Sequence, residues 1–110
     1  MNIQQIENFT WDYLDCAAFC EELEEHTFSG QSFNSAMQDC LEFIEKAGEL
    51  LNRLDHTSCA HDFYYTRHGH GCGFWDREDL PVDIANKLTG ISKSFVERPP
   101  YVENGLIYLH

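Results

Sequence analysis

The sequence predicts an α+β fold, with three helices packed on a small, mainly antiparallel sheet of two hairpins. Three observations favour it. Apolar residues recur at helical spacing in three separate stretches. An aromatic-rich run of alternating polarity leads into spaced glycines, which is typical of a β-hairpin. The pair Asn104-Gly105 stands between two short apolar runs and predicts a second hairpin.

Two helices are predicted in the first half of the chain. The first covers about residues 11–25 and starts near Thr10, with an apolar side formed by Trp11, Leu14, Ala17 and Ala18. The second covers about residues 35–54. Ser35 and Gln38 form a capping-box pattern at its start. Its apolar stripe, which we interpret as core, comprises Met37, Cys40, Leu41, Ile44, Ala47, Leu51 and Leu54.

The second half predicts two hairpins around a helix. The first hairpin covers about residues 62–76, because aromatic and polar residues alternate from Phe63 and glycines then permit an irregular turn. A third helix covers about residues 80–96, opened by Pro81. The Asn104-Gly105 hairpin covers about residues 101–109. The segment between the first two helices is expected to be a loop.

The length and composition of the chain indicate a single domain, residues 1–110. A chain of this length buries enough surface for one core. No apolar run is long enough for a membrane span, and no secretory signal is visible. The cytoplasm of a host cell is the expected location. The five cysteines contain no Cys-x-x-Cys pair, and we expect them to be reduced, small, buried side chains.

Negative charge is concentrated in the first half. The net charge is −12, of which residues 1–55 carry −10 and residues 56–110 carry −2. A field of this sign disfavours direct contact with nucleic acid or an anionic membrane and favours basic protein surfaces. The alternative is a well-solvated helical surface without a partner. The candidate binding residues are Glu21, Glu22, Glu24, Glu25, Asp39, Glu42 and Glu49.

Histidines and a cysteine cluster in the predicted first hairpin. Imidazole and thiolate are ligands that Zn²⁺ prefers, so a metal site would use His61, His68, His70 and Cys72. Their spacing matches no standard zinc-binding pattern, and we predict no cofactor. A small metal-assisted or acid–base hydrolase is the alternative function, with His61, His70 and Asp76 as its catalytic residues. Each residue taken singly also suits a purely structural role.

The stretch HDFYYTRHGHGCGFWDR, with the closing YVENGLIYL, resembles a family of short proteins encoded by bacteriophages and prophages. The family pattern is HDFxxTRxGHGxGFWD, and the resemblance covers about residues 60–109. The family has no assigned enzymatic activity, so the resemblance indicates a phage source and not a mechanism. A zinc site using His68 and Cys72 would be particular to this chain, because both occupy variable positions. The candidate site residues taken from this match, which we call the motif cluster, are His61, Asp62, Arg67, His70, Trp75 and Asp76.

The resemblance and the charge together predict an accessory protein that binds and inhibits a host protein. Such a partner would be a nucleic-acid-binding defence complex, of the CRISPR or restriction type. Carboxylates in the acidic half would reproduce the sign of phosphate and steer association with a basic channel. Self-association into a homodimer is a further option, through a patch formed by Trp11, Phe19 and Phe28.

Overall fold

Four α-helices and one three-stranded sheet make up residues 1–110, all of which the computed structural model describes. The helices are α1 (Ile3–Cys20), α2 (Gly30–Ala47), α3 (His56–Arg67) and α4 (Val82–Lys93). The strands are β1 (Thr27–Phe28), β2 (Pro100–Glu103) and β3 (Leu106–Leu109). Short 3-10 turns occupy Gly48–Leu51 and Phe74–Asp76. The predicted α+β class is confirmed.

Both helices of the first half begin earlier than predicted. The backbone N–H of Gln5 donates to Asn2 Oδ1 at 2.8 Å, and the N–H of Asn2 donates to Gln5 Oε1 at 2.9 Å. This capping box starts α1 at Ile3. The α2 helix is capped by Ser29, whose Oγ accepts from the N–H of Ser32 at 3.0 Å. The Ser35 capping box is therefore wrong, because Ser35 lies inside α2.

The predicted hairpin over residues 62–76 is wrong: its first half is helical and its second half is a loop with a 3-10 turn. Asp55 caps α3 by accepting from the N–H of Ser58 at 2.9 Å. Phe63 and Tyr64 are neighbours and both are buried, whereas a strand would place them on opposite faces. Because most of α3 is covered by other elements, it shows no amphipathic stripe, and packing overrides the β-propensity of its aromatic residues.

The sheet has the order β1-β3-β2 and is mixed. Strands β2 and β3 are antiparallel and are joined by Asn104 and Gly105, both at positive φ, as the hairpin signal predicts. The unpredicted strand β1 pairs with β3 in parallel, with Phe28 opposite Ile107. The Ser32 hydroxyl and the Ser29 N–H each donate to the Ile107 carbonyl at 3.0 Å, which fixes α2 to the sheet.

Aromatic side chains form the core between the helices. The rings of Phe43 and Phe63 stack with centroids 4.2 Å apart, while Phe9 and Phe74 each lie 6.0 Å from Phe43. Burying a side chain of this size contributes about 1.5–3 kcal/mol. The α4 helix adds Ala85 and Leu88 to the same core. None of the four helices combines the length and the apolar character that crossing a bilayer requires.

Candidate functional site

The residues singled out by sequence occupy two regions, which we name the motif segment (residues 61–76) and the acidic turn (residues 21–25). The motif segment comprises the second half of α3, the glycine-rich loop and the 3-10 turn. The acidic turn follows directly after α1. Their side chains make very different contacts.

Arg67 lies at the centre of a buried network. Its side chain is 1% exposed, and its Nη2 lies 2.9 Å from Asp39 Oδ2. The guanidinium also donates to the Tyr13 hydroxyl at 3.1 Å and to the Val96 carbonyl at 2.8 Å. Arg98 adds a second cation, with its Nε 3.2 Å from the same Asp39 oxygen. Burial raises the pKa of Tyr13, so this hydroxyl stays protonated and can accept from Arg67.

Asp39 therefore does not belong with the exposed carboxylates among which the sequence placed it. Its side chain is 15% exposed and forms the counter-charge of Arg67. The sequence predicted Asp39 as one of the candidate binding residues, but the segment from Val96 to Arg98 covers it. Glu42 and Glu49 remain on the exposed side, and Glu42 pairs with Lys46 at 3.2 Å.

Asp62 is held by Arg77, the arginine that follows the 3-10 turn. Arg77 Nη1 donates to Asp62 Oδ2 at 2.5 Å, while its Nε and Nη2 donate to the two oxygens of Asp79 at 2.7 Å each. Burial raises the pKa of Asp62, and the hydrogen bond from Arg77 opposes that rise. The arrangement ties α3 to the chain that follows the 3-10 turn.

Asp76 and Thr66 fix the glycine-rich loop. The Gly73 N–H donates to Asp76 Oδ1 at 3.0 Å, and the Phe74 N–H donates to Thr66 Oγ1 at 3.2 Å. Gly73 has a φ of 153°, and a Cβ atom there would lie 2.2 Å from Thr66 Oγ1. Trp75 is 51% exposed beside this turn. The conformation therefore requires glycine at position 73.

His68 connects α3 to the chain before β2. Its Nδ1 lies 3.1 Å from the Tyr64 carbonyl, and its Nε2 accepts from the Arg98 N–H at 3.0 Å. This pattern requires the neutral ring with its proton on Nδ1. Burial lowers the pKa of His68 and so favours the same form.

His70 and Tyr64 make polar contacts between the motif segment and the acidic turn. The Nε2 of His70 lies 3.6 Å from Glu21 Oε1, and the Tyr64 hydroxyl donates to the same oxygen at 3.3 Å. The His70 ring also packs against Tyr65, with centroids 5.8 Å apart. Glu21 thus has partners within the molecule, unlike Glu22 and Glu24 of the same turn.

The hydrolase residues make separate contacts. No hydrogen bond or ion pair joins any two of His61, His70 and Asp76. No three His, Cys, Asp or Glu side chains form a group that could hold a metal ion. The residues that a metal site would have used, His61, His68, His70 and Cys72, therefore do not form one. The geometry supports neither of these two sites.

The acidic turn presents unpaired carboxylates. Glu22, Glu24 and Glu25 are exposed, and only Glu25 has a charged neighbour, with its Oε1 3.4 Å from His26 Nε2. Glu22 has a φ of 58°, in the left-handed region that favours glycine or asparagine. The turn closes through the Leu23 N–H, which donates to the Ala18 carbonyl at 2.8 Å.

A cleft of about 500 Å³ adjoins the acidic turn and was not predicted. Trp11 forms part of its wall, is 45% exposed and packs on Phe33 with ring centroids 4.7 Å apart. Phe19 is 65% exposed on the same helix. The cleft thus combines aromatic and carboxylate groups, and its lining comprises Trp11, Asp15, Ala18, Glu24, His26, Thr27 and Phe28.

Comparison with known proteins adds no relationship: no protein-family model, curated protein or solved structure matches the chain.

Proposed function

We propose that this chain is a phage-type accessory protein that binds and inhibits a host protein through its acidic surface. The observation that carries the proposal is the acidic turn beside the aromatic cleft. Three exposed carboxylates stand there, next to a cleft that includes Trp11 and Asp15. The phage origin rests on the sequence resemblance of residues 60–109.

The placement of these carboxylates is locally unfavourable for the fold. They follow the C-terminus of α1, where the helix dipole favours positive charge. Glu22 also occupies a left-handed conformation, which costs a residue other than glycine roughly 1–2 kcal/mol. The presence of glutamates where stability favours glycine or lysine supports a role outside folding.

The chemistry of the surface favours a basic partner. An exposed tryptophan attracts a guanidinium or ammonium group over its face, and nearby carboxylates accept hydrogen bonds from the same group. Asp15 and Glu24 line the cleft with Trp11. Arginine- and lysine-rich channels of nucleic-acid-binding defence proteins present such groups. Occupation of such a channel by carboxylates would exclude the phosphates of its substrate.

The test is capture from a nuclease-treated lysate of a bacterial host, with two charge-reversed variants compared. The test variant carries Glu22→Lys, Glu24→Lys and Glu25→Lys. Its matched control carries Glu78→Lys, Glu97→Lys and Glu103→Lys, three exposed carboxylates of the second half, and has the same net charge. We expect the wild type and the control to retain a nucleic-acid-binding protein that added duplex DNA releases, and the test variant to lose it.

Two further observations complete this experiment. Circular dichroism confirms that both variants are folded, and capture is repeated at rising salt, which weakens interactions between exposed charges. Equal capture by all three proteins, or equal loss in both variants, contradicts a specific acidic surface. Retention of a partner that neither salt nor DNA affects contradicts phosphate mimicry.

A further inference from the structure

Two arginines share Asp39 as their counter-ion, and this leaves positive charge in the network around it. The Asp39 Oδ2 atom lies 2.9 Å from Arg67 Nη2 and 3.2 Å from Arg98 Nε. One carboxylate neutralises only one of these cations, because arginine does not lose its proton in a protein. The buried Arg67 depends on Asp39 most, whereas the Arg98 side chain is 39% exposed. Arg98 is therefore the arginine whose charge remains available.

The hydrogen bonds of the Arg98 side chain are also incomplete. Its Nε is buried and makes no hydrogen bond, although it lies 3.2 Å from Asp39 Oδ2. Its Nη1 makes only a long hydrogen bond of 3.5 Å to the His110 carbonyl. Guanidinium groups bind oxyanions through parallel N–H donors, and the Nη atoms of Arg98 still have such donors to offer.

Arg98 lines a cavity of about 200 Å³ between the start of α2 and the β2–β3 hairpin. No aspartate or glutamate lines this cavity, although the net charge of the chain is −12. Its other polar side chains include Gln31, Ser35, Tyr101 and Tyr108, all of which can donate a hydrogen bond. The cavity thus combines a positive charge with N–H and O–H donors, which is the chemistry that an oxyanion requires.

The shape of the cavity favours a small tetrahedral anion. Its donors come from two sides, since Gln31 and Ser35 belong to α2 and Tyr101 and Tyr108 belong to the sheet. A phosphate or sulfate group accepts hydrogen bonds at several oxygens, whereas a carboxylate has only two. The volume lies below the roughly 300–1,000 Å³ of most ligand pockets, so it suits an anionic group and not a large molecule.

We propose that this cavity binds a phosphate or sulfate group, which acts as the second counter-ion of the two arginines. Arg98 supplies the charge and Ser35 supplies a hydroxyl donor. The residues 56–110 carry a net charge of only −2, so the field that repels anions is weaker here than at the acidic turn. The inference is independent of the proposed function, because the acidic turn lines a different cleft.

The experiment titrates isotope-labelled protein with inorganic phosphate and follows the backbone amide resonances by NMR. Sodium chloride holds the ionic strength constant, so that the screening of the net charge does not change. We expect saturable shifts at residues around the cavity, among them Ser35 and Tyr101, and a Tm that rises with the phosphate concentration. Sulfate should act in the same way and acetate should bind more weakly. Equal binding of acetate would overturn the tetrahedral anion.

Three variants test the assigned side chains, with circular dichroism to confirm that each is folded. We expect Arg98→Gln to weaken phosphate binding at least about tenfold, and Ser35→Ala, which leaves the arginines in place, by about two- to tenfold. Arg53→Gln is the matched control, because Arg53 is exposed and lies outside this cavity, and it should bind as the wild type. Absence of saturable shifts in the wild type, unchanged binding in both Arg98→Gln and Ser35→Ala, or equal weakening in Arg53→Gln overturns the site.

A second titration, with phenyl phosphate, identifies the source of the anionic group. Tyr101 lines the cavity and is 36% exposed, so its ring is accessible to an aromatic group attached to the phosphate. Tighter binding of phenyl phosphate than of inorganic phosphate assigns the site to a phosphate ester. Equal or weaker binding assigns it to the free ion.

Discussion

The motif segment and the acidic turn are both rich in polar side chains, but they use them in opposite ways. In the motif segment, Asp62, Arg67 and Asp76 all contact groups within the molecule. In the acidic turn, Glu22 and Glu24 have no counter-ion. A dense, distinctive polar motif is therefore no guide to a binding surface. The carboxylates that remain free to contact a partner, Glu22 and Glu24, belong to no recognisable sequence motif.

Removal of Arg67 is the strongest way to challenge this comparison. Arg67→Met leaves Asp39 and Tyr13 without their main partner in a buried position, so we expect the free energy of unfolding to fall by about 3–5 kcal/mol in urea titrations. Arg98 remains near Asp39 and limits the loss. Glu24→Gln, from the acidic turn, is the control and should change stability by less than about 0.5 kcal/mol. Similar values for the two variants would contradict the contrast between the regions.

Substitution at Gly73 should have the next largest effect. Gly73→Ala places a Cβ atom against Thr66 Oγ1, and its backbone φ is one that alanine avoids. We therefore expect the free energy of unfolding to fall by at least about 2 kcal/mol. Gly71→Ala, two residues earlier in the same loop, has no neighbour within 4 Å and should be nearly neutral. Thermal unfolding of the pair measures the difference. Equal Tm values would show that the loop is not fixed by Thr66.

Protonation of His68 should change the free energy of unfolding by a smaller amount, which depends on pH. Because burial lowers its pKa below the ordinary value of 6.5, the unfolded chain binds the proton first as the pH falls. The free energy of unfolding therefore decreases with falling pH between 6.5 and the folded-state pKa, as the hydrogen bond from the Arg98 N–H is lost. His68→Gln should show a shallower decrease over this window and the same slope as the wild type above about pH 7.5. Parallel slopes throughout would exclude His68 as the titrating group.

Local signals in the sequence predicted local structure well. The Asn104-Gly105 hairpin and most of α2 are confirmed, because turn chemistry and a half-exposed apolar stripe act within a few residues. The α3 helix could not be recognised this way, since it is covered on most sides and its aromatic residues also suit a strand. Strand β1 has only two residues and depends on a partner about 80 residues later.

The candidate site was predictable only in part. The sequence grouped Asp62, Arg67 and Asp76, but it could not indicate that Arg67 pairs with Asp39, which lies in a different helix. Asp39 was predicted to be a candidate binding residue, but Arg67 and Arg98, which lie far away in the sequence, pair with it and leave it little exposed. The cleft beside the acidic turn gave no signal, since α1, the acidic turn and β1 all contribute to it.

The parallel pairing of β1 with β3 has a consequence for the timing of maturation. Thr27 and Phe28 line the cleft, and their partners Leu106 and Ile107 follow about 80 residues later. At a synthesis rate of about 5–20 residues per second, roughly 4–16 s separate the two segments during translation. The nascent chain therefore exposes its acidic turn before β1, which lines the cleft, can pair with β3. A partner that requires the finished cleft would be bound only after the last strand emerges from the ribosome.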